Sequence, residues 1–294
     1  MPFRDCSIPN LALPPHEPWR ARLLRSVYYA RRKVAVTVHG LRPSALLGRF
    51  SGPRILVNSI PKCGTHLLER TLQSFPGLRH SGRRTLWDWD ALGVDTRTAL
   101  ARIGRGQFAL AHLPAFAELF PWLEQVGIRA LFVIRDPRDI LVSYSRYVTA
   151  ERTHPAHAHF AALPDDAARL LAAIDGVAGV VSPIDELLRR YAGWLEPGRA
   201  LVVRFEDLIG PRGGGDSTRQ LETVRRIAGF LELELPERTL GAIAHRTFST
   251  RSSTFRSGQA QRWRESFAVE HVRAFKARAG DLLPRYGYEA SAEW

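Results

Sequence analysis

Three short clusters in this sequence hold the residue types that manage anions and protons. The first, NSIPKCGTHL at 58–67, follows an apolar run and opens a helical stretch. That arrangement aims free backbone N–H groups and the positive end of a helix at an anion. Lys62 adds a full charge, Gly64 permits close approach, and Thr65 adds a hydroxyl donor. Its lysine precedes the glycine, and no G-x-x-x-x-G-K-[ST] pattern is present, which argues against ATP or GTP hydrolysis. The second, ALFVIRDPRDILVSYSRY at 130–147, is a β-rich run ending in Arg135; Asp136 and Pro137 then start a helix with Ser143 two turns in. Arg135 offers a planar fork of donors and Ser143 a directional one, a pair suited to one phosphate. A capped helix with Asp136 at the N-cap and Pro137 at N1 explains the Asp–Pro pair, but not the arginine and serine together. The third is His112, in FALAHLP at 108–114, at a strand end. An imidazole titrates near neutrality and suits general-base work, although a lone histidine after a strand is more often structural.

The elements that must position these groups alternate. Strand-like runs at 54–59, 107–111, 128–134 and 200–205 are separated by helical stretches at 66–75, 115–126, 137–147, 165–195 and 217–231. This alternation predicts an α/β protein: a P-loop-like parallel sheet with helices on both faces, its ligands at the carboxyl ends of the strands. Residues 1–50 read as a basic N-terminal extension and residues 51–294 as the main domain. Within the extension, residues 19–38 place an apolar face among arginines at helical spacing. A helix packed on the core is the preferred reading, and peripheral contact with an anionic membrane surface is the other.

The 294 residues carry 42 Lys+Arg against 29 Asp+Glu, a formal net charge of +13. Such an excess suits an anionic partner, whether nucleic acid, nucleotide, glycan or membrane surface, without choosing among them. No nucleic-acid reading motif is present. The two cysteines, Cys6 and Cys63, do not form a disulfide framework, as a reducing compartment would allow. Without a membrane-spanning apolar run or a signal-peptide layout, the expectation is a soluble, cytoplasmic protein.

The first cluster resembles the 5′-phosphosulfate loop, PKSGTTW, of sulfotransferases that use 3′-phosphoadenosine 5′-phosphosulfate (PAPS). Pro61, Lys62, Gly64 and Thr65 match; Cys63, His66 and Leu67 replace serine, threonine and tryptophan. The family's tryptophan stacks on adenine, so the resemblance implies that Leu67 holds the base differently or more weakly. Cys63 still offers its N–H; beside Lys62 at a helix N-terminus its pKa can fall, though passive packing is preferred. The second cluster is similar to the family's 3′-phosphate motif, with Arg135 and Ser143 at the matching positions. TFRSGQAQRWRESF at 254–267 resembles the segment RKGxxGDWKxxF, which closes over the 3′-phosphate. Arg256, Gly258, Trp263 and Phe267 match; Ser257 replaces the lysine, a lost charge for which Arg251, Arg262 or Arg264 could compensate. RFEDL at 204–208 resembles YEDL, with Phe205 keeping the ring and losing the hydroxyl.

HLP at 112–114 matches the family's KTHLP context, which turns the balance toward catalysis by His112. The resemblance implies in-line transfer of a sulfuryl group from PAPS to an acceptor hydroxyl, with PAP as product. His112 is the base, Lys62 stabilises charge on the bridging oxygen, and Gly64, Thr65 and His66 hold the 5′-phosphate. No metal is expected; His154, His157 and His159 lack convincing ligand spacing. The acceptor, a small molecule or glycan, is expected to lie against loops at about 79–106 and 148–165. Trp87 and Trp89 with nearby carboxylates and arginines favour a carbohydrate or glycolipid. The alternatives are a nucleotide-dependent kinase and a catalytically degenerate nucleotide or polyanion binder.

Overall fold

The structure is a computed structural model that describes residues 48, 50–87, 96–248 and 260–294. At its centre lies a five-stranded sheet of order β2-β3-β1-β4-β5 with every pairing parallel. The strands are β1 (Arg54–Ser59), β2 (Arg79–His80), β3 (Gln107–Ala111), β4 (Ile128–Ile134) and β5 (Leu201–Arg204). β1, β3 and β4 coincide with the expected runs because each is a nearly unbroken apolar stretch, buried from its second or third residue onward, as a sheet covered on two faces requires. The fourth expected run is shorter at both ends, since Phe205 already begins a helix.

Helix α1 (Thr65–Ser74) carries the chain from β1 over β3 to β2, and α2 (Leu119–Gln125) carries it from β3 over β1 to β4. Right-handed crossovers in opposite directions place these two helices on opposite faces of the sheet. The neighbours β1 and β3 therefore send their connections to different sides, which opens a crevice at their carboxyl ends. The loops that follow them, at 60–64 and 112–114, contain Lys62 and His112.

The described residues fall into two compact units. The sheet, α1 and α2 belong to one, with α7 (Phe205–Leu208), α8 (Ser217–Phe230) and α9 (Glu237–Thr247). The other, Pro137–Arg189 with Arg262–Trp294, includes α3 (Pro137–Ala150), α4 (His157–Ala162), α5 (Asp166–Asp175), α10 (Trp263–Ser266), α11 (Val269–Ala279) and α12 (Leu282–Tyr286). In this unit the guanidinium of buried Arg138 lies over the rings of Trp263 and Trp294, at 3.9 and 4.5 Å, and bonds Glu289 at 2.6 Å. Asp139 accepts the backbone N–H of Trp263 at 2.9 Å, which ties α10 to the start of α3.

The continuous helix expected at 165–195 is broken. Asp165 caps α5 by accepting Ala168 N–H at 2.8 Å, but Gly176 ends it with φ +77. A Val177–Val181 bridge and Pro183 intervene before α6 (Ile184–Tyr191). The expected loop at 148–165 is half helical: α3 runs on to Ala150, and α4 begins at His157, whose Nδ1 donates to Val148 O at 3.0 Å. The basic stretch at 19–38 and Trp89 lie outside the described residues.

Candidate active site

The loop after β1 is a tight turn. Cys63 N–H donates to Ile60 O at 3.2 Å across Pro61 and Lys62. Proline presets the first central position, and Lys62 occupies the second with φ +74, the left-handed value of a type II turn. Glycine or asparagine normally takes that place, so Lys62 is held in a strained conformation. Gly64 follows at φ +99, and a Cβ there would come within 2.4 Å of Phe205 Cδ2. Only glycine fits between the loop and that ring. Helix α1 then starts at Thr65, so the N–H groups of Gly64, Thr65 and His66 precede the first carbonyl acceptors of the helix.

Cys63 is fully buried, and burial pushes its thiol well above the usual thiol range. The depressed pKa considered from its place beside Lys62 is thus overturned by desolvation, and its N–H is engaged in the turn. Thr65 is buried, with Oγ1 2.6 Å from Ser59 Oγ. Half-exposed His66 bonds through Nδ1 to Glu69 Oε2 at 2.8 Å.

His112 stands where β3 ends, beside the last residue of β1. Its Nδ1 is 2.8 Å from the Ser59 carbonyl, which only accepts, so Nδ1 carries the proton and the neutral ring keeps its lone pair on Nε2. The backbone around the ring is clamped. Asn58 exchanges two hydrogen bonds with Leu113, Nδ2 to O and N–H to Oδ1, each 2.8 Å. Trp194 Nε1 donates to the same Leu113 carbonyl at 2.8 Å, and Tyr191 O–H donates to His112 O at 3.0 Å. Burial, with contributions from His66 and Lys62, lowers the His112 pKa to about 4, against the near-neutral value expected of an unperturbed imidazole. Trp87, 48% exposed, packs its ring 4.6 Å from the imidazole.

Arg135 directly follows β4, largely buried, with its guanidinium 4.4 Å above the Phe205 ring. Asp136 N–H donates to Glu206 Oε1 at 3.0 Å, joining the end of β4 to α7. Phe205 also packs with Ile209 and Phe248, and Leu67 lies against this cluster, so an apolar surface borders the loop at 60–64. Within the sheet-bearing unit the loop residues 62–67, His112, Arg135 and Phe205 are thus organised around the ends of β1, β3, β4 and β5. Ser143 is half-buried in the second turn of α3, in the other unit. Arg256, Ser257 and Gly258 lie outside the described residues. Of the three clustered histidines, His154 Nδ1 accepts Ala156 N–H at 3.2 Å, His157 bonds Val148, and His159 packs its ring on Phe160.

Sequence inspection missed Asn58, Ser59, Tyr191, Trp194 and Glu69. The first two carried a signal, being polar residues at the end of an apolar strand, where a buried polar group needs a stated partner.

The parallel sheet, with the loop at 60–64 after one strand and His112 after its neighbour, has the fold of solved sulfotransferases. No protein-family model and no curated protein matches the sequence. Among solved structures, the chain is similar to mouse sulfotransferase SULT7A1 complexed with PAP, at 17% identity and a TM-score of 0.57 over 86% of this chain and 94% of that one. It is also similar to retinol dehydratase in complex with androsterone and inactive cofactor PAP, at 15% identity and a TM-score of 0.51 over 87% of this chain and 85% of that one.

Proposed function

We propose that this protein is a PAPS-dependent sulfotransferase that sulfates a hydroxyl of a carbohydrate or glycolipid. The observation that carries the reading is the hydrogen bond from His112 Nδ1 to the Ser59 carbonyl, which leaves Nε2 as the basic atom on the strand next to the phosphate-type loop. The solved structures of like fold hold PAP, the desulfated form of this donor, which supports the choice of nucleotide.

In this mechanism His112 Nε2 takes the acceptor's hydroxyl proton while the oxygen forms a bond to sulfur. The bond from sulfur to the bridging oxygen breaks, and that electron pair leaves on the 5′-phosphate of PAP. Lys62 balances the charge growing on this oxygen, and the N–H groups of Gly64, Thr65 and His66 hold the phosphate in line. Arg135 binds the 3′-phosphate, a role that the family resemblance also assigns to Ser143, Arg256, Ser257 and Gly258. Leu67 and Phe205 give the base an apolar wall in place of a stacked tryptophan. Half-exposed Trp87 beside His112 offers the flat apolar face on which a sugar ring sits.

Calorimetric titration of PAP into wild type and Arg135→Ala, followed by labelled PAPS with glycan, phenol and steroid acceptors, tests the proposal. Micromolar binding that Arg135→Ala weakens, with label moving to glycans and lost in His112→Ala, is the expected result. Binding of ATP with Mg²⁺ in place of PAP would overturn it in favour of a kinase.

A further inference from the structure

Between the phosphate-type loop and the body of α1 lies a pair of side chains that the mechanism above does not use. His66 occupies the second position of the helix, half-exposed, with Nδ1 fixed 2.8 Å from Glu69 Oε2. Glu69 is buried, and only its carboxylate oxygens can accept, so Nδ1 of His66 is the donor. Its ring is therefore oriented from behind by an anion, as a histidine is when its second nitrogen is meant for a ligand. A carboxylate behind an imidazole stabilises the doubly protonated ring, and a phosphate in front stabilises it further.

The surroundings of the pair are charged on several sides. Gln73 Nε2 lies 3.4 Å from Glu69 Oε1 on the same helix, and buried His80 of β2 lies 4.0 Å from that oxygen. His80 Nδ1 accepts Gly82 N–H at 2.9 Å, so in its neutral form the His80 proton sits on Nε2, toward Glu69. From the loop and β3, Lys62 and His112 complete the set, and both His66 and Lys62 act electrostatically on His112. Of the helices packed on α1, α9 ends in His245 and Arg246, both exposed, and α7 carries Glu206, engaged with Asp136 N–H, and Asp207, near Arg219.

We infer that the His66 side chain is a proton-linked phosphate ligand: held by Glu69, it takes up a proton when the donor's 5′-phosphate binds and presents Nε2–H to that phosphate. This rests on the PAPS reading and adds to it a division of labour between two histidines. Burial keeps His112 neutral, as a base must be. His66, with a carboxylate behind it and the bound phosphate in front, becomes the cation against the opposing field of the helix N-terminus and Lys62.

The test is calorimetry of PAP binding near pH 7 in buffers of different ionisation enthalpy, which counts protons exchanged. Wild type is expected to take up about half a proton or more on binding PAP, beyond what PAP itself exchanges. His66→Gln should abolish that uptake and flatten the pH dependence of affinity by about tenfold between pH 6 and 8. Glu69→Gln should reduce the uptake, His112→Asn should retain it, and adenosine 3′-phosphate, without a 5′-phosphate, should not elicit it. Uptake unchanged in His66→Gln, or lost in His112→Asn, overturns this inference while leaving the PAPS reading standing. Failure of PAP to bind wild type at any pH removes both.

Discussion

The imidazole of His112 hands its Nδ1 proton to the backbone carbonyl of Ser59 at 2.8 Å, so the tautomer of the ring is set by the last residue of the neighbouring strand. With the pKa lowered to about 4, the ring is neutral and basic at Nε2 throughout the physiological range. The rate of sulfuryl transfer should therefore rise through an acid limb near pH 4 and be level across pH 6–7, where an unperturbed histidine would still be titrating. The pH dependence of kcat/KM for the acceptor, which reports the enzyme before the acceptor binds, checks this; an acid limb near 6.5 contradicts it. His112→Asn should lower kcat by about 10²–10⁴-fold, with PAP affinity within about twofold of wild type.

The same shift has a consequence for stability. The folded-state pKa lies below the unfolded value of 6.5, so the unfolded chain binds the extra proton between them. The contribution of neutral His112 is complete above pH 6.5 and is lost as pH falls toward 4. Thermal unfolding of wild type should show Tm falling over that interval, and His112→Asn should show a shallower fall. Parallel curves for the two proteins would place the acid sensitivity elsewhere.

Asn58 is wholly buried, and its carboxamide satisfies both the N–H and the C=O of Leu113. Asn58→Leu leaves that N–H without its partner, at a cost of about 1–3 kcal/mol. The carbonyl keeps Trp194. Asn58→Asp keeps the acceptor but buries a carboxylate oxygen against the Leu113 carbonyl, and should be at least as destabilising. Urea unfolding ranks the three proteins. Because the clamp holds the residue after His112, kcat should fall more than PAP affinity in both variants; equal falls would mean a purely structural role.

The sheet was legible because its central strands are buried on both faces and read as unbroken apolar runs. RILVNS at 54–59 is buried from Ile55 to Ser59, and its bounds agree with expectation. β2 was not legible: Arg79 and His80 are polar residues made strand by pairing with Gln107 and Phe108, which no local pattern announces. The break after Asp175 was hidden by an apolar run that continues past Gly176. The places of Lys62, Gly64 and His112 beyond the carboxyl ends of β1 and β3 were legible from the strand runs that precede them. The groups that tune them were not, since Ser59 acts through its carbonyl, and Tyr191 and Trp194 reach the site from the end of α6 and the turn after it. Contacts at such separation depend on the sheet order, which a single sequence does not carry.

Gly64 is fixed by two separate constraints, its φ of +99 and the Phe205 ring 2.4 Å from the place of a Cβ. Gly64→Ala should destabilise the protein by about 1–3 kcal/mol through the backbone alone, with a further cost from the ring. It should also weaken PAP, because the ring it displaces lies under Arg135. Adding Phe205→Leu relieves the clash but not the backbone strain, so the double variant should regain only part of the stability. Full recovery, read by chemical denaturation, would show that the left-handed conformation costs nothing here.

Lys62 offers the sharpest separation of stability from function. It takes the left-handed position of the turn closed by Cys63 N–H and Ile60 O, at φ +74. A residue with a Cβ is held there at a cost of about 1 kcal/mol or more, and glycine takes the same conformation freely. Lys62→Gly should therefore leave the protein as stable as wild type or more so, by up to about 1 kcal/mol, even though glycine's freer unfolded state offsets part of the gain. The same substitution removes the charge proposed to face the leaving oxygen, and transfer should fall by about 100-fold or more. Lys62→Ala keeps the strain and loses the charge, so it should be as inactive as Lys62→Gly and less stable. Urea unfolding and PAPS turnover on the three proteins decide the matter. A glycine variant less stable than the alanine variant would mean that the turn is held by contacts of the lysine side chain rather than against its backbone preference.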